Sequence, residues 1–322
     1  EHRFPQSGKI RLKYGESVIE LRVEVTPTVG RKEDVVMRIL AGGTFMSIDD
    51  LDLSTENQIA LMGMVAKPYG MLLAVGPTGS GKTTTLHALL HHLNSVEKKI
   101  WTVEDPVEIT QPGLRQVQVN LNIKPEPFDF AKAMRSFLRA DPDIIMVGEM
   151  RDLETARIAV QSALTGHVVL STLHTNDAAS GVTRLLDMGV EDYLLTSTVN
   201  GILAQRLVRR LCPACRKQHT ALPELAAKFQ HLVPNKDQAV TLYRAEGCEQ
   251  CNGTGYRGRL VITEVLIMSD GIRKAVLGHA TATEIQRIAM TEGMDTMYED
   301  GLRKALAGRT TMEEVIRVAE EA

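Results

Sequence analysis

The stretch Gly76-Pro77-Thr78-Gly79-Ser80-Gly81-Lys82-Thr83 fills every fixed position of the phosphate-binding pattern G-x-x-x-x-G-K-[ST]. Its flanks agree. Met71-Leu72-Leu73-Ala74-Val75 is a short apolar run suited to a buried strand, and residues 84–93 read as a helix with Leu86, Leu89, Leu90 and Leu93 on one face. In such a strand–loop–helix the glycines let the backbone curl around phosphate with its N–H groups turned inward. The helix N-terminus adds a favourable potential for an anion. Lys82 would reach the β- and γ-phosphates of a nucleotide, and the Thr83 hydroxyl would bind Mg²⁺. Residues Gly76 to Thr83 and the adjoining Thr84 are therefore the candidate nucleotide-binding set. A glycine-rich turn before a helix can be only a turn. The complete pattern, with both flanks correct, argues against that.

Outward from this loop, strands and helices alternate from residue 67 on. Strands are expected at 99–103, 114–119, 144–147 and 167–172. Helices are expected at 55–66 behind Ser54, at 129–140 behind Asp129, at 152–164 behind Asp152, and after Asn176-Asp177. Such alternation implies an α/β fold, with parallel strands and helices on both faces. After Arg210 the pattern breaks for a cysteine segment. Residues 269–322 read as short helices punctuated by Gly271, Gly293, Gly301 and Gly308. Residues 1–41 read instead as strands: 10–14, 18–25 and 35–40. Some 40 residues rarely hold a core of their own. The chain opens abruptly at Glu1 rather than Met, so the expectation is that upstream sequence is missing and that 1–41 is the remnant of a larger domain. A linker is expected over 42–54. There is no internal repeat or low-complexity tract.

Bulk properties narrow the classes. The 322 residues suffice for one large α/β domain plus smaller parts. A net charge of −3 gives no basic footprint for nucleic acid. No apolar run approaches the roughly 20 residues of a membrane span, and no signal peptide is visible. Together with sparse cysteine usage, this points to a cytosolic protein.

A phosphate-binding loop needs an acidic partner. Ile144-Ile145-Met146-Val147-Gly148-Glu149 supplies one: a buried strand delivering a carboxylate. The acid stands one residue beyond the usual Asp position, which Gly148 occupies. Its longer side chain suits water activation rather than direct metal ligation. Thr102-Val103-Glu104-Asp105-Pro106 presents two more acids at a strand end; Glu104 could complete the Mg²⁺ and water shell, or the pair could be a simple turn before proline. His167 and His174 bracket a strand at opposite ends. His174 could sense the γ-phosphate or complete the site, although lone histidines are more often structural. Arg22 and Arg38 alternate with apolar residues on the first strands. They read either as solvated arginines or as fingers reaching a neighbouring nucleotide. Arg135, Arg139, Arg151, Arg206, Arg209 and Arg210 are weaker candidates. Cys212, Cys215, Cys248 and Cys251 form two C-x-x-C pairs, the spacing of a closed tetrahedral Zn²⁺ site; unligated thiols or a disulfide pair are the alternatives.

These residues, in this order, resemble the secretion-superfamily ATPases of type II secretion and type IV pilus assembly. The resemblance rests on Gly76 to Thr83, on Thr102-Val103-Glu104-Asp105-Pro106-Val107-Glu108, on Gly148-Glu149-Met150-Arg151-Asp152, and on Thr165-Gly166-His167 with Ser171-Thr172-Leu173-His174-Thr175-Asn176. Ala204-Gln205-Arg206-Leu207-Val208-Arg209, the four cysteines and Gly255-Tyr256-Arg257-Gly258-Arg259 extend it over essentially the whole chain. It implies a RecA-like P-loop motor domain over 55–322, including the zinc segment 212–251 and the helical part 269–322. It also implies a partial PAS-like N-terminal α+β domain over 1–41. It gives Glu149 the water-activating role, Glu104 a supporting Mg²⁺ role, Arg22 and Arg38 an approach to the nucleotide, and His167 and His174 a nucleotide-responsive surface. It further implies ATP, Mg²⁺ and structural Zn²⁺, and a homo-hexamer working on inner-membrane platform proteins from the cytoplasmic face. The tetracysteine segment is similar to the secretion and pilus-extension branches; retraction motors typically lack it. The alternatives are a pilus-retraction or DNA-uptake motor, and a nucleotide-gated assembly switch with negligible turnover.

Overall fold

Three antiparallel strands open the chain: β1 (Gln6–Tyr14), β2 (Ser17–Thr28) and β3 (Lys32–Leu40). The computed structural model describes residues 2–15, 17–40, 46–233 and 239–319. Strand alternation sorts this small sheet into two faces. On one, Ile10 and Leu12 stand opposite Leu21 and Ile19, while Leu21, Val23 and Val25 stand opposite Ile39, Met37 and Val35. The other carries Arg11, Glu20, Arg22, Glu24 and Arg38. Residues 41–45 of the expected boundary lie outside the described residues. The rest of the expected linker departs from open chain, because Ile48 and Leu51 are buried against the following helix.

Alternating elements follow: α1 (Thr55–Val65), β4 (Gly70–Val75), α2 (Lys82–Leu93), β5 (Ile100–Glu104), β6 (Arg115–Gln118), α3 (Phe130–Phe137), β7 (Ile144–Val147), α4 (Leu153–Leu164), β8 (Val168–Leu173), α5 (Ala178–Asp187) and α6 (Asp192–Thr198). The caps fall where the sequence puts them. Ser54 accepts from the Asn57 N–H, and Asp129, Asp152 and Asp177 accept from Lys132, Thr155 and Ser180 at 2.7–2.8 Å. Each such cap is worth about 1 kcal/mol. Next come β9 (Val199–Leu211), β10 (Lys217–Thr220), α7 (Pro223–Ala227), β11 (Thr241–Arg244), β12 (Tyr256–Ile267) and α8 (Asp270–Leu277). The last elements are α9 (Ala282–Thr291), α10 (Met297–Leu306) and α11 (Met312–Ala319). Among the described residues no helix is long and apolar enough to cross a membrane.

The main sheet runs β12-β9-β4-β8-β7-β5-β6. All its pairings are parallel except β12 on β9. Along β4, Met71, Leu73 and Val75 face one layer and Leu72 and Ala74 the other. Both faces are covered, so the strand reads as one apolar run. This is the expected α/β architecture with a parallel sheet. The strands β9 and β12 were not expected. Arginines interrupt the apolar content of β9, and the two strands are separated by an excursion of over forty residues. The β12–β9 ladder carries one extra residue on β12 between Tyr256 and Arg259, a bulge at Gly258.

The C-terminal helices need one correction. Gly293 and Gly308 do end helices, but Gly271 lies in the first turn of α8 and Gly301 inside α10. Gly301 is there for packing: a Cβ would lie 2.6 Å from Val315 Cγ1 on α11. A glycine-to-alanine change inside a helix ordinarily stabilises by up to about 1 kcal/mol. Gly301→Ala is expected instead to cost about 1–3 kcal/mol in urea unfolding, from overpacking. Adding Val315→Ala should recover part of that loss. A single variant as stable as the parent would disprove this contact.

Candidate functional site

The carboxyl ends of β4, β8, β7 and β5 open onto one cleft of about 600 Å³. Ligands bind at this edge of open parallel sheets. The loop after β4 forms its floor. Gly76 has φ 148° and Gly81 φ 91°. A Cβ at Gly76 would meet Gln205 O at 2.5 Å, so only glycine lets the loop lie this close to β9. The Gln205 side chain donates to Ser80 O at 2.8 Å and straps the loop down. Lys82 Nζ donates to Gly76 O at 2.8 Å and Pro77 O at 3.0 Å. Burial lowers the pKa of Lys82, and the nearby Glu149 opposes that shift. Helix α2 starts at Gly81 without a side-chain cap, which leaves its first N–H groups for a ligand. Among the described residues, the Ser80 hydroxyl is buried without a partner. An orphaned hydroxyl, bare N–H groups and an ammonium around a glycine loop suit a phosphate chain. Thr78, Gly79, Thr83 and Thr84 line the same cleft.

The acids stand opposite. Glu149 follows β7 and its side chain is 14% exposed. One of its carboxylate oxygens pairs with Arg151, and the other lies 3.6 Å from His174 Nε2. The strand ends are tied together by Thr172 Oγ1 donating to Gly148 O at 2.7 Å and by Met150 N–H donating to Thr172 O at 3.1 Å. The glycine at 148 has a local cause. A Cβ there would press on Val103 O at 3.2 Å and Glu104 Cα at 3.3 Å, so the acid stands one residue further on. Glu104 is 3% exposed and accepts from Thr102 Oγ1 at 2.7 Å and Gln116 Nε2 at 3.0 Å.

Arg38 reaches the cleft from β3, so the small N-terminal sheet contributes to the lining. Its cross-strand partner Arg22 does not line it and pairs with Glu24 at 3.0 Å. His167 is also elsewhere, at the amino end of β8. Its Nδ1 donates to Ser162 O at 2.9 Å, and it borders a separate hollow with Lys67, His92 and Lys98. Arg135 pairs with Glu154, Arg206 with Asn176, and Arg210 with Asp52. Arg209 pairs with Glu314. Sequence reasoning missed Arg259 as a lining residue, because β12 was not read as a strand that starts at the cleft. It also missed the Gln205 strap. A lone amide inside the apolar run of β9 was the available signal.

Cys212 follows β9, and Cys248 and Cys251 precede β12, so the paired strands bring both knuckles together. The four sulfurs lie within 4.8 Å of one another, with neighbours at 3.7–3.9 Å. Zn–S bonds of about 2.3 Å in a tetrahedron need about 3.8 Å. Burial alone would raise Cys251, but N–H bonds from Cys248 and Gly255 bring this thiol down to about 6. Burial pushes Cys215 up to about 11. The donor set fits Zn²⁺.

Residues 1–317 match the family described as Type II/IV secretion system protein. The chain is 52% identical over 300 residues to the type II secretion system protein E of Xanthomonas campestris, covering 93% of this chain and 52% of that protein. It is 47% identical over 299 residues to the type IV pilus assembly ATPase PilB of Myxococcus xanthus, covering 92% and 52%. It thus spans about half the length of these relatives. Among solved structures, the pilus retraction motor PilT with bound ADP superposes with a TM-score of 0.70 at 24% identity, covering 98% of this chain and 79% of that one. The Legionella pneumophila ATPase DotB gives 0.69 at 21%, covering 99% and 78%. These two likenesses speak to the fold.

Glu314 yields a pH test. Burial would raise its pKa, but bonds from Arg317 and Arg209 outweigh it and hold the carboxyl at about 2. A folded pKa below the unfolded value means stabilisation that is full above about pH 4.5 and is lost as pH falls towards 2. Glu314→Gln should therefore cost about 2 kcal/mol at pH 7, the scale of charged hydrogen bonds. The difference between parent and variant in urea unfolding should shrink below pH 4. A gap independent of pH would contradict this account.

Proposed function

Because the chain belongs to the Type II/IV secretion system protein family, we propose that it is the nucleotide-hydrolysing portion of a motor for type II secretion or type IV pilus assembly. One observation carries this reading. The phosphate-suited loop and the Glu149 carboxylate face one cleft, with arginines from distant parts of the chain around them. Lys82 and the first N–H groups of α2 hold the β- and γ-phosphates. The Thr83 hydroxyl and Glu104 would hold Mg²⁺, which would supply positive charge against the charge developing on the phosphates. Glu149 orients the attacking water and takes its proton. Arg151 must loosen from Glu149 first, because the carboxylate oxygen that it occupies is then not free to accept from the water. His174, beside Glu149, senses the γ-phosphate. Arg38 approaches the phosphates as a finger from the N-terminal sheet. Movement of that sheet towards the loop is what would bring in Arg22. His167, away from this cleft, is assigned to a nucleotide-responsive surface.

The working form in this reading is a homo-hexamer on the cytoplasmic face of the inner membrane, pushing on platform proteins, without nucleic acid as a partner. A partial PAS-like domain (1–41) moves against the motor domain (55–322). The four cysteines hold one structural Zn²⁺ that clips the excursion between β9 and β12.

Glu149→Gln should lower kcat by about 10²-fold or more, the scale of a lost general base, while ADP affinity changes little. Unimpaired turnover in the oligomer would remove Glu149 from this role. Specific activity should also rise with protein concentration if sites are completed between copies; a non-hydrolysing switch would show no such rise. For the metal, elemental analysis should find one zinc per chain, and Cys212→Ser with Cys248→Ser should abolish it and expose the excursion to protease. A purified chain that contains no zinc and gains no protection from added zinc would refute the site.

A further inference from the structure

His87 sits on α2, five residues beyond Lys82, or about 7.5 Å along the helix. It is fully buried, and its ring is held at both nitrogens. Nε2 lies 3.2 Å from Glu104 Oε2, and Nδ1 lies 3.2 Å from Gln111 Nε2. The orientation of the Gln111 amide settles the tautomer. Its Nε2 also lies 2.8 Å from the main-chain carbonyl of His87, which can only accept. The NH₂ group must therefore face that carbonyl, and its second hydrogen points at Nδ1. Nδ1 is the acceptor, so the proton is on Nε2 and points at Glu104.

The acceptor count on Glu104 follows. A carboxylate offers about four lone-pair positions. Thr102 and Gln116 take two on Oε1, and His87 takes one on Oε2. Among the described residues, a single position, on Oε2, is left for the cleft. We infer that His87 is a positioning residue: its Nε2–H fixes the Glu104 carboxylate so that this one free lone pair meets the Mg²⁺ shell, and α2 thereby links the phosphate loop to the acid. This rests on the assignment of Glu104 to the Mg²⁺ side. Residues behind metal ligands typically matter by about 10- to 100-fold in metal affinity or activity.

The test is ADP binding by the 322-residue chain, measured by calorimetry with Mg²⁺ and with EDTA. The readout is the ratio of the two affinities, which a general packing defect would leave unchanged. His87→Leu should reduce the Mg²⁺ enhancement by about tenfold and leave the affinity in EDTA close to that of the parent. His87→Gln, which keeps a donor near the Nε2 position, should restore most of the enhancement. Glu104→Gln should abolish it. If Glu104→Gln keeps the enhancement, the role of Glu104 fails, and the inference fails with it. If Glu104→Gln loses it but His87→Leu keeps it, the inference alone fails and His87 is packing. Equal losses in Mg²⁺ and EDTA for His87→Leu, or no recovery in His87→Gln, would overturn it as well.

Discussion

Strand β4 is hydrogen-bonded on both edges, by β8 and β9, and is buried on both faces. Its apolar side chains each contribute about 1.5–3 kcal/mol on burial. More important is what this pairing forbids. A slip of one residue would turn Leu73 and Val75 into the opposite layer, so the register is strongly specified. The loop that follows therefore leaves the sheet at one defined point. Gln205, on the neighbouring strand, then fastens Ser80 from the side. The precision of the cleft derives from this central strand, and the acids inherit it through β8, β7 and β5.

The cleft is crowded with charge of both signs: Arg38, Lys82, Arg151 and Arg259 against Glu104, Asp105, Glu108 and Glu149. Such a lining is costly to desolvate unless each group has a partner. Two of the acids are satisfied in different ways. Glu104 is sunk in a fixed set of side-chain donors, which leaves it little freedom. Glu149 and Arg151 satisfy each other at the mouth, where the arginine is mostly solvated and the pair is readily exchanged for another partner. One acid is held by its surroundings and the other by an exposed arginine. That division agrees with the roles proposed above for Glu104 and Glu149.

Much of this was legible in the residues alone. The phosphate loop, the strand ending at Glu149 and the two cysteine pairs are local patterns, each set by a few neighbouring residues. The helix caps at Ser54, Asp129, Asp152 and Asp177 are equally local. What escaped depends on contacts between distant segments. The antiparallel strand β12 owes its place to β9, across the cysteine excursion. Arg259 joins the cleft only because of that pairing. Gly301 looks like a helix stop until Val315 is seen against it. His87 reads as one more position on an amphipathic helix, and only the fold sets it between Glu104 and Gln111. By contrast, the placement of His167 and His174 at opposite ends of one strand is already local, because β8 spans only the residues between them.

The bulge at Gly258 gives β12 three steps where β9 takes two. Upstream of it lies the second cysteine knuckle, and just downstream lies Arg259. The two stations are thus locked in phase, with a spacing counted in whole residues. Delete one residue here and both cannot be kept. Either Cys248 and Cys251 stay with Cys212 and Cys215 while Arg259 rotates away from the cleft, or Arg259 stays and the knuckle turns to the wrong side. Length at this point is therefore under tighter control than side-chain identity, although Arg257, Gly258 and Arg259 are open to solvent.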